Sequence, residues 1–125
     1  MRIFLTKPVK KWFDNEAGVS SACLVDAAEE TVKGACETSL GGGLYKKRIA
    51  AKQNKGKRGG SRLLIAYKKG HDLFFMYAFN KNEAGNISEK EKAVLKARAK
   101  LYFKLSDSDL KKAIKAGMFF EMRRH

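Results

Sequence analysis

The chain holds few of the side chains that bind metals. It has two Cys and two His in 125 residues. Cys23 and Cys36 do not combine with His71 and His125 into the spacing of a zinc set, so no metal or other cofactor is expected. Both cysteines read as reduced thiols in or near the core. No apolar run approaches the roughly 18 to 20 residues that span a membrane. The N-terminus, MRIFLTKPVKKWF, lacks the long apolar stretch and small-residue cleavage site of a secretory signal. These absences predict a cytoplasmic protein with no membrane partner. Acidic residues are scarce as well: 13 Asp plus Glu face 27 Lys plus Arg, a formal net charge of +14.

That excess is organised. Between Thr38 and His71 lie ten Lys and Arg residues and no Asp or Glu. A blocked charge of this size implies nucleic acid, the ribosome or an acidic protein as partner; the plainer alternative is a solvated, highly charged surface. Hydrophobic residues make up 44% of the chain, with eight Phe and four Tyr, which is globular composition and not that of a disordered segment. The length fits one domain, 1–125, able to bury an ordinary core.

The pattern along the chain predicts an α+β fold. Arg2 to Leu5 reads as a first strand. Thr6-Lys7-Pro8 opens a helix, because proline is tolerated in a first turn where its missing N–H has no partner; Val9, Trp12 and Phe13 share its apolar face. Ser20 or Ser21 caps a second helix running to about Ala35, with Leu24, Ala28, Thr31, Val32 and Ala35 as its stripe. Gly41-Gly42-Gly43 breaks the chain and marks a tight entry into a strand or a close backbone approach. Strands follow at Leu44 to Ala50 and Ser61 to Lys68, separated by a Lys/Gly loop. Leu73 to Asn80 is apolar on both faces and reads as a central strand covered on both sides. Ser88 and Glu91 form a capping box, opening a helix whose face carries Val94, Leu95, Arg98, Leu101, Tyr102 and Leu105. Ser106 to Asp109 starts another helix, Gly117 ends it, and Met118 to Met122 can add an edge strand. The order β-α-α-β-β-β-α-α gives a small, mostly antiparallel sheet with two N-terminal helices and C-terminal helices.

Three pieces carry a resemblance. Gly42-Gly43-Leu44-Tyr45-Lys46-Lys47-Arg48-Ile49-Ala50, then Gly56-Lys57-Arg58-Gly59-Gly60-Ser61-Arg62, then Phe79-Asn80-Lys81-Asn82-Glu83 resemble the RelE/ParE superfamily of bacterial toxins, and within it the HigB-like branch. The Ser-capped helix after Glu83 and the ending from Leu105 to Gly117 resemble the same branch. The resemblance implies the RelE-like fold. It also implies a toxin of a type II toxin–antitoxin system that cleaves messenger RNA on the ribosome. The implied partners are the ribosome, messenger RNA and a cognate antitoxin with a helix-turn-helix domain. ParE-like members instead poison DNA gyrase, so a gyrase inhibitor or a non-catalytic RNA-binding module stands as the alternative.

The family's chemistry is attack of a ribose 2′-hydroxyl on the adjacent phosphate, which requires a base, positive charge on the phosphate and an acid at the leaving oxygen. Two histidines as distant as His71 and His125 do not suit it. Lys and Arg side chains carry the role instead. Arg62 enters a strand from a glycine-rich loop and can hold phosphate oxygens bidentately; it is the first candidate for transition-state stabilisation. Lys57 can transfer a proton if neighbouring cations lower its pKa, and Lys81 is the second candidate for proton transfer or charge stabilisation. Glu83 is either a base or the salt-bridge partner that orients Arg62 or Lys81. Lys46 and Arg48, two apart on a strand, share a face and either position RNA, with Arg58 from the loop, or form a solvated strand face. Tyr77 alternates with Phe79 and Lys81, and either stacks on a base or belongs to the core. Lys96, Lys100, Lys104, Lys111, Lys112 and Lys115 of the C-terminal helices either touch ribosomal RNA or form a solvated face, the solvated face being the plainer reading.

Overall fold

The computed structural model describes residues 1–15, 19–36, 38–49, 61–80 and 87–123. Along them the chain runs β1 (Ile3–Thr6), α1 (Lys7–Asn15), α2 (Ser21–Val32), β2 (Thr38–Gly41), β3 (Leu44–Ile49), β4 (Ser61–Ala66), β5 (Leu73–Asn80), α3 (Glu89–Tyr102), α4 (Asp107–Lys115) and β6 (Phe119–Met122). The strands form one sheet in the order β2-β3-β4-β5-β1-β6. Every neighbouring pair is antiparallel except β1 with β5. This is an α+β fold compatible with the RelE-like architecture. Among the described residues no helix is long and apolar enough to cross a membrane.

The helix starts follow their capping chemistry. Ser20 accepts the Cys23 amide at the head of α2. Ser88 with Glu91, and Ser106 with Asp109, each close a full capping box at α3 and α4, which satisfies two of the amides a helix start leaves without partners. β2 has no strong signature in the sequence, being short and polar. It forms because the glycines after it turn the chain back onto β3. Gly43 has φ +81°, and a Cβ there would meet Phe103 Cε2 at 2.9 Å and the Tyr67 carbonyl at 3.1 Å. The Gly43 carbonyl in turn accepts the Tyr67 amide at 2.8 Å. Both readings of the glycine run, tight turn and close approach, hold at this residue.

Helices cover both faces of the sheet. On one face α1 and α2 bury Val9, Leu24, Ala27 and Ala28 against Ile3, Leu5, Ile49, Leu63, Ile65, Leu73 and Phe75. On the other, α3 and α4 bury Leu95, Ala99 and Leu110 against Phe4, Leu44, Leu64, Ala66, Phe74, Met76 and Phe79. β5 therefore is the central, two-sided strand its composition predicts. Phe74 anchors the second face, its ring stacked on Phe4 at 5.3 Å and tilted against Tyr102 at 5.2 Å. Two stripes differ from their expectation. In α3 the buried positions are Leu95 and Ala99, with Tyr102 half-buried, whereas Val94 and Leu101 are 45% and 62% exposed. Residues 94, 98 and 101 stand one residue, about 100°, around the helix from that inward line. In α2, Val32 is 42% exposed at the helix end, while Ala28 and Thr31 of the same turn are buried.

One irregularity in the sheet controls what faces where. Leu64 pairs with Tyr77 and Ile65 with Phe75, so Met76 is an extra residue in β5. This bulge switches the strand's parity. Phe75 lies in the core under α1 and α2, while Met76, Tyr77 and Phe79 belong to the side of α3. Thr6 fixes the bulge: its buried hydroxyl lies 3.1 Å from the Phe75 carbonyl and 3.0 Å from that of Met76.

Candidate functional site

Three neighbouring strands project a group of polar side chains onto the α3 side of the sheet, beyond the part that α3 covers. The register pairs Arg48 with Arg62 across β3 and β4, and Lys46 with Leu64 one step along. Arg62 in turn pairs with Phe79, and Leu64 with Tyr77. Residues in such rows share a face, with Cβ atoms of direct partners about 5 Å apart. The sheet thus places Lys46, Arg48, Arg62, Tyr77 and Phe79 side by side. Arg48 is exposed, Lys46, Arg62 and Tyr77 are half-exposed, and Phe79 is buried beneath them. The Tyr77 and Phe79 rings lie 6.1 Å apart at 36°.

Alternation separates this group from its sequence neighbours. Lys47 points to the other face, where its Nζ pairs with Glu30 at 2.7 Å and donates to the Ala35 carbonyl at 2.7 Å. It ties β3 to the end of α2. Lys46 and Arg48 instead flank the Arg62 row, as their spacing predicts. Tyr77 keeps the shared face with Phe79 that the sequence suggests, and it also lines a mainly apolar groove of about 340 Å³ with Met76, Val94, Leu95 and Arg98. The core reading of Tyr77 holds for its packing against the cluster under α3, and the same residue lines the groove. Arg98, taken from the sequence only as part of a helical face, stands beside that groove; its distance in sequence from the basic segment conceals it.

Lys57, Arg58, Lys81 and Glu83 lie outside the described residues. His71 is exposed at the turn joining β4 to β5, its ring 5.6 Å from that of Phe103. Arg62 is the second residue of β4 and His71 lies beyond the far end of that strand, so at least about 13 Å of strand separates them. Cys23 and Cys36 are free and partly buried. Among the described residues no cluster of His, Cys, Asp and Glu could hold a metal ion.

The arrangement can do one thing readily. Two guanidiniums and an ammonium share a sheet face with an aromatic side chain, the residue types that suit a phosphate and an unstacked base. No curated protein matches the chain. The family model described as the RelE toxin of the RelE / RelB toxin-antitoxin system matches residues 1–122. That match covers all six strands and all four helices among the described residues, and the chain belongs to the RelE toxin family, whose members pair with an antitoxin.

Proposed function

We propose that this chain is a ribosome-dependent messenger RNA endoribonuclease of the HigB-like branch, acting as one domain over residues 1–125 in the cytoplasm. The observation that carries the reading is the Arg48–Arg62 row with Lys46 and Tyr77 beside it. A cation-rich, partly exposed face with an aromatic edge suits RNA at the moment of phosphodiester cleavage.

In the proposed reaction the ribose 2′-oxygen forms a bond to the adjacent phosphorus as its proton passes to a base. The bond from phosphorus to the 5′-oxygen then breaks, and that oxygen takes a proton. Arg62 stabilises the extra charge on the phosphorane. Lys46, Arg48 and Arg58 hold the strand, and Tyr77 stacks on a base. Lys57 and Lys81 serve the proton transfers, with Glu83 as base or as the carboxylate that orients a cation. No metal ion takes part. The antitoxin carries a helix-turn-helix domain and lays an acidic segment over the basic face, in competition with RNA.

The test maps new messenger RNA ends in a cell-free translation reaction, with and without ribosomes, beside Arg62→Ala. Cuts confined to translated message and lost in the variant support the reading. Intact message with unimpaired translation contradicts it, and inhibition of gyrase supercoiling by the same protein would support a ParE-like activity instead.

A further inference from the structure

α3 carries two apolar rows. Leu95 and Ala99 turn inward and are buried on the sheet. Val94, Ala97 and Leu101 turn outward; all three are exposed, Leu101 to 62%. Their spacing of i, i+3 and i+7 sets them in one line along the helix, the pattern that forms the seam between two packed helices. Neither Val94 nor Leu101 belongs to either core cluster. α4 differs: its exposed positions are Asp107, Ser108, Asp109, Lys111, Lys112 and Lys115, with no apolar member.

The flanks of this row describe its partner. Arg98 stands roughly a quarter turn to one side of it and Lys100 roughly a quarter turn to the other. These are the places where a packed helix pair matches charge across its seam. From Lys92 to Lys104 the chain has five Lys and Arg and no Asp or Glu. A fitting helix therefore brings an apolar row with carboxylates beside it, and the small Ala97 at the middle lets it approach closely. Val94 also forms a wall of the groove lined by Pro8, Met76, Tyr77 and Ile87, a hollow beside the row that can take a large apolar side chain. Glu91, the carboxylate at that groove, is turned to Ser88 in the capping box.

A second copy of the chain fits poorly. It would bring its own Arg98 and Lys100 to the seam, with a net charge of +14 behind them, and cations would meet cations. RNA fits poorly as well, since aliphatic side chains neither stack on bases nor pair with phosphates. We propose that the Val94–Ala97–Leu101 row is the docking surface for an acidic amphipathic helix of the antitoxin. This is an apolar anchor, separate from the Arg48–Arg62 face. It rests on membership in a family whose toxins pair with an antitoxin, and not on the nuclease reading.

The test follows association and dissociation of the cognate antitoxin by surface plasmon resonance at several KCl concentrations. One variant joins Val94→Gln with Leu101→Gln, which keeps charge and helix propensity; the other joins Arg98→Ala with Lys100→Ala. Circular dichroism checks the fold of both. The apolar variant is expected to release the antitoxin at least about tenfold faster, the scale of two lost anchors. The charge variant is expected to associate several-fold more slowly, with a rate that depends less on salt. Cleavage is not read, so a chain without nuclease activity would still give both results. Unchanged dissociation from the apolar variant would overturn the site. So would an apolar variant that keeps the antitoxin and loses an unstructured RNA, or an antitoxin-free dimer that the same variant dissolves.

Discussion

Arg48 and Arg62 stand directly opposite each other on adjacent antiparallel strands, two cations on one sheet face. Like charges in this position destabilise a strand pair, and the magnitude is about 0.2–1 kcal/mol. Replacing Arg48 by Thr, a good strand former, is therefore expected to raise unfolding free energy by up to about 1 kcal/mol and to weaken RNA binding and cleavage together. Urea denaturation and the translation assay check the pair of effects. A variant that gains stability and keeps full activity would remove Arg48 from the site.

Thr6 governs Tyr77 from a distance. Its hydroxyl serves the two carbonyls at the bulge, those of Phe75 and Met76, and the bulge sends Tyr77 to the α3 side. Thr6→Val keeps the shape and removes the donor. The expected cost is about 1–3 kcal/mol from buried carbonyls left short of a partner. Cleavage at a temperature where the variant is folded should fall several-fold as well, because Tyr77 loses its fixed aim. Denaturation curves and message-end mapping measure the two separately.

The glycine turn makes a paired prediction. At Gly43 a side chain meets both an aromatic ring and a backbone carbonyl at positive φ, so Gly43→Ala is expected to cost about 2 kcal/mol or more. At Gly42 a Cβ would meet nothing nearer than Lys96 Cγ at 3.8 Å, and Asn tolerates positive φ. Gly42→Asn is expected to fall within about 0.5 kcal/mol of the parent. Thermal denaturation of the two variants side by side distinguishes the positions.

The ends of the chain's outermost strand pair give a pH dependence. Arg2 donates through Nε and Nη2 to both oxygens of Glu121, at 3.1 and 3.0 Å. Hydrogen bonding from Arg2 holds the Glu121 carboxyl below its ordinary value of 4.5. A lowered carboxylate pKa contributes stability that is present above the ordinary value and is lost as pH falls through the lowered one. Both side chains are about a third exposed, 35% and 38%, so solvent screening limits the pair to about 0.5 kcal/mol. Glu121→Gln should be less stable than the parent at pH 7, and the difference should close in acid below the ordinary carboxylate range. Urea midpoints across that range test the sign.

Much of this architecture is legible in the residues. The capping serines, the two-sided apolar run of β5 and the positions of Lys46, Arg48 and Arg62 follow from local chemistry and strand period. β2 is not legible, since Thr38–Gly41 gains its strand from pairing with β3 and not from its own composition. Nor is the bulge. Strict alternation would place Phe75 with Tyr77 and Phe79, and only the Thr6 hydroxyl and the β4 register reveal the change of face. Val94 and Leu101 fall on the apolar face that the sequence assigns to α3, and only the packing of Leu95 and Ala99 on the sheet turns them outward.

The central claim is that Arg62 works on RNA held against this sheet face. Its most direct test is the cell-free translation reaction, with message ends mapped for the parent and for Arg62→Ala. New ends that need ribosomes and fall by at least about a hundredfold in the variant, the scale of a lost transition-state contact, are the predicted result. Equal cleavage by the variant, or uncut message with the parent, would contradict it.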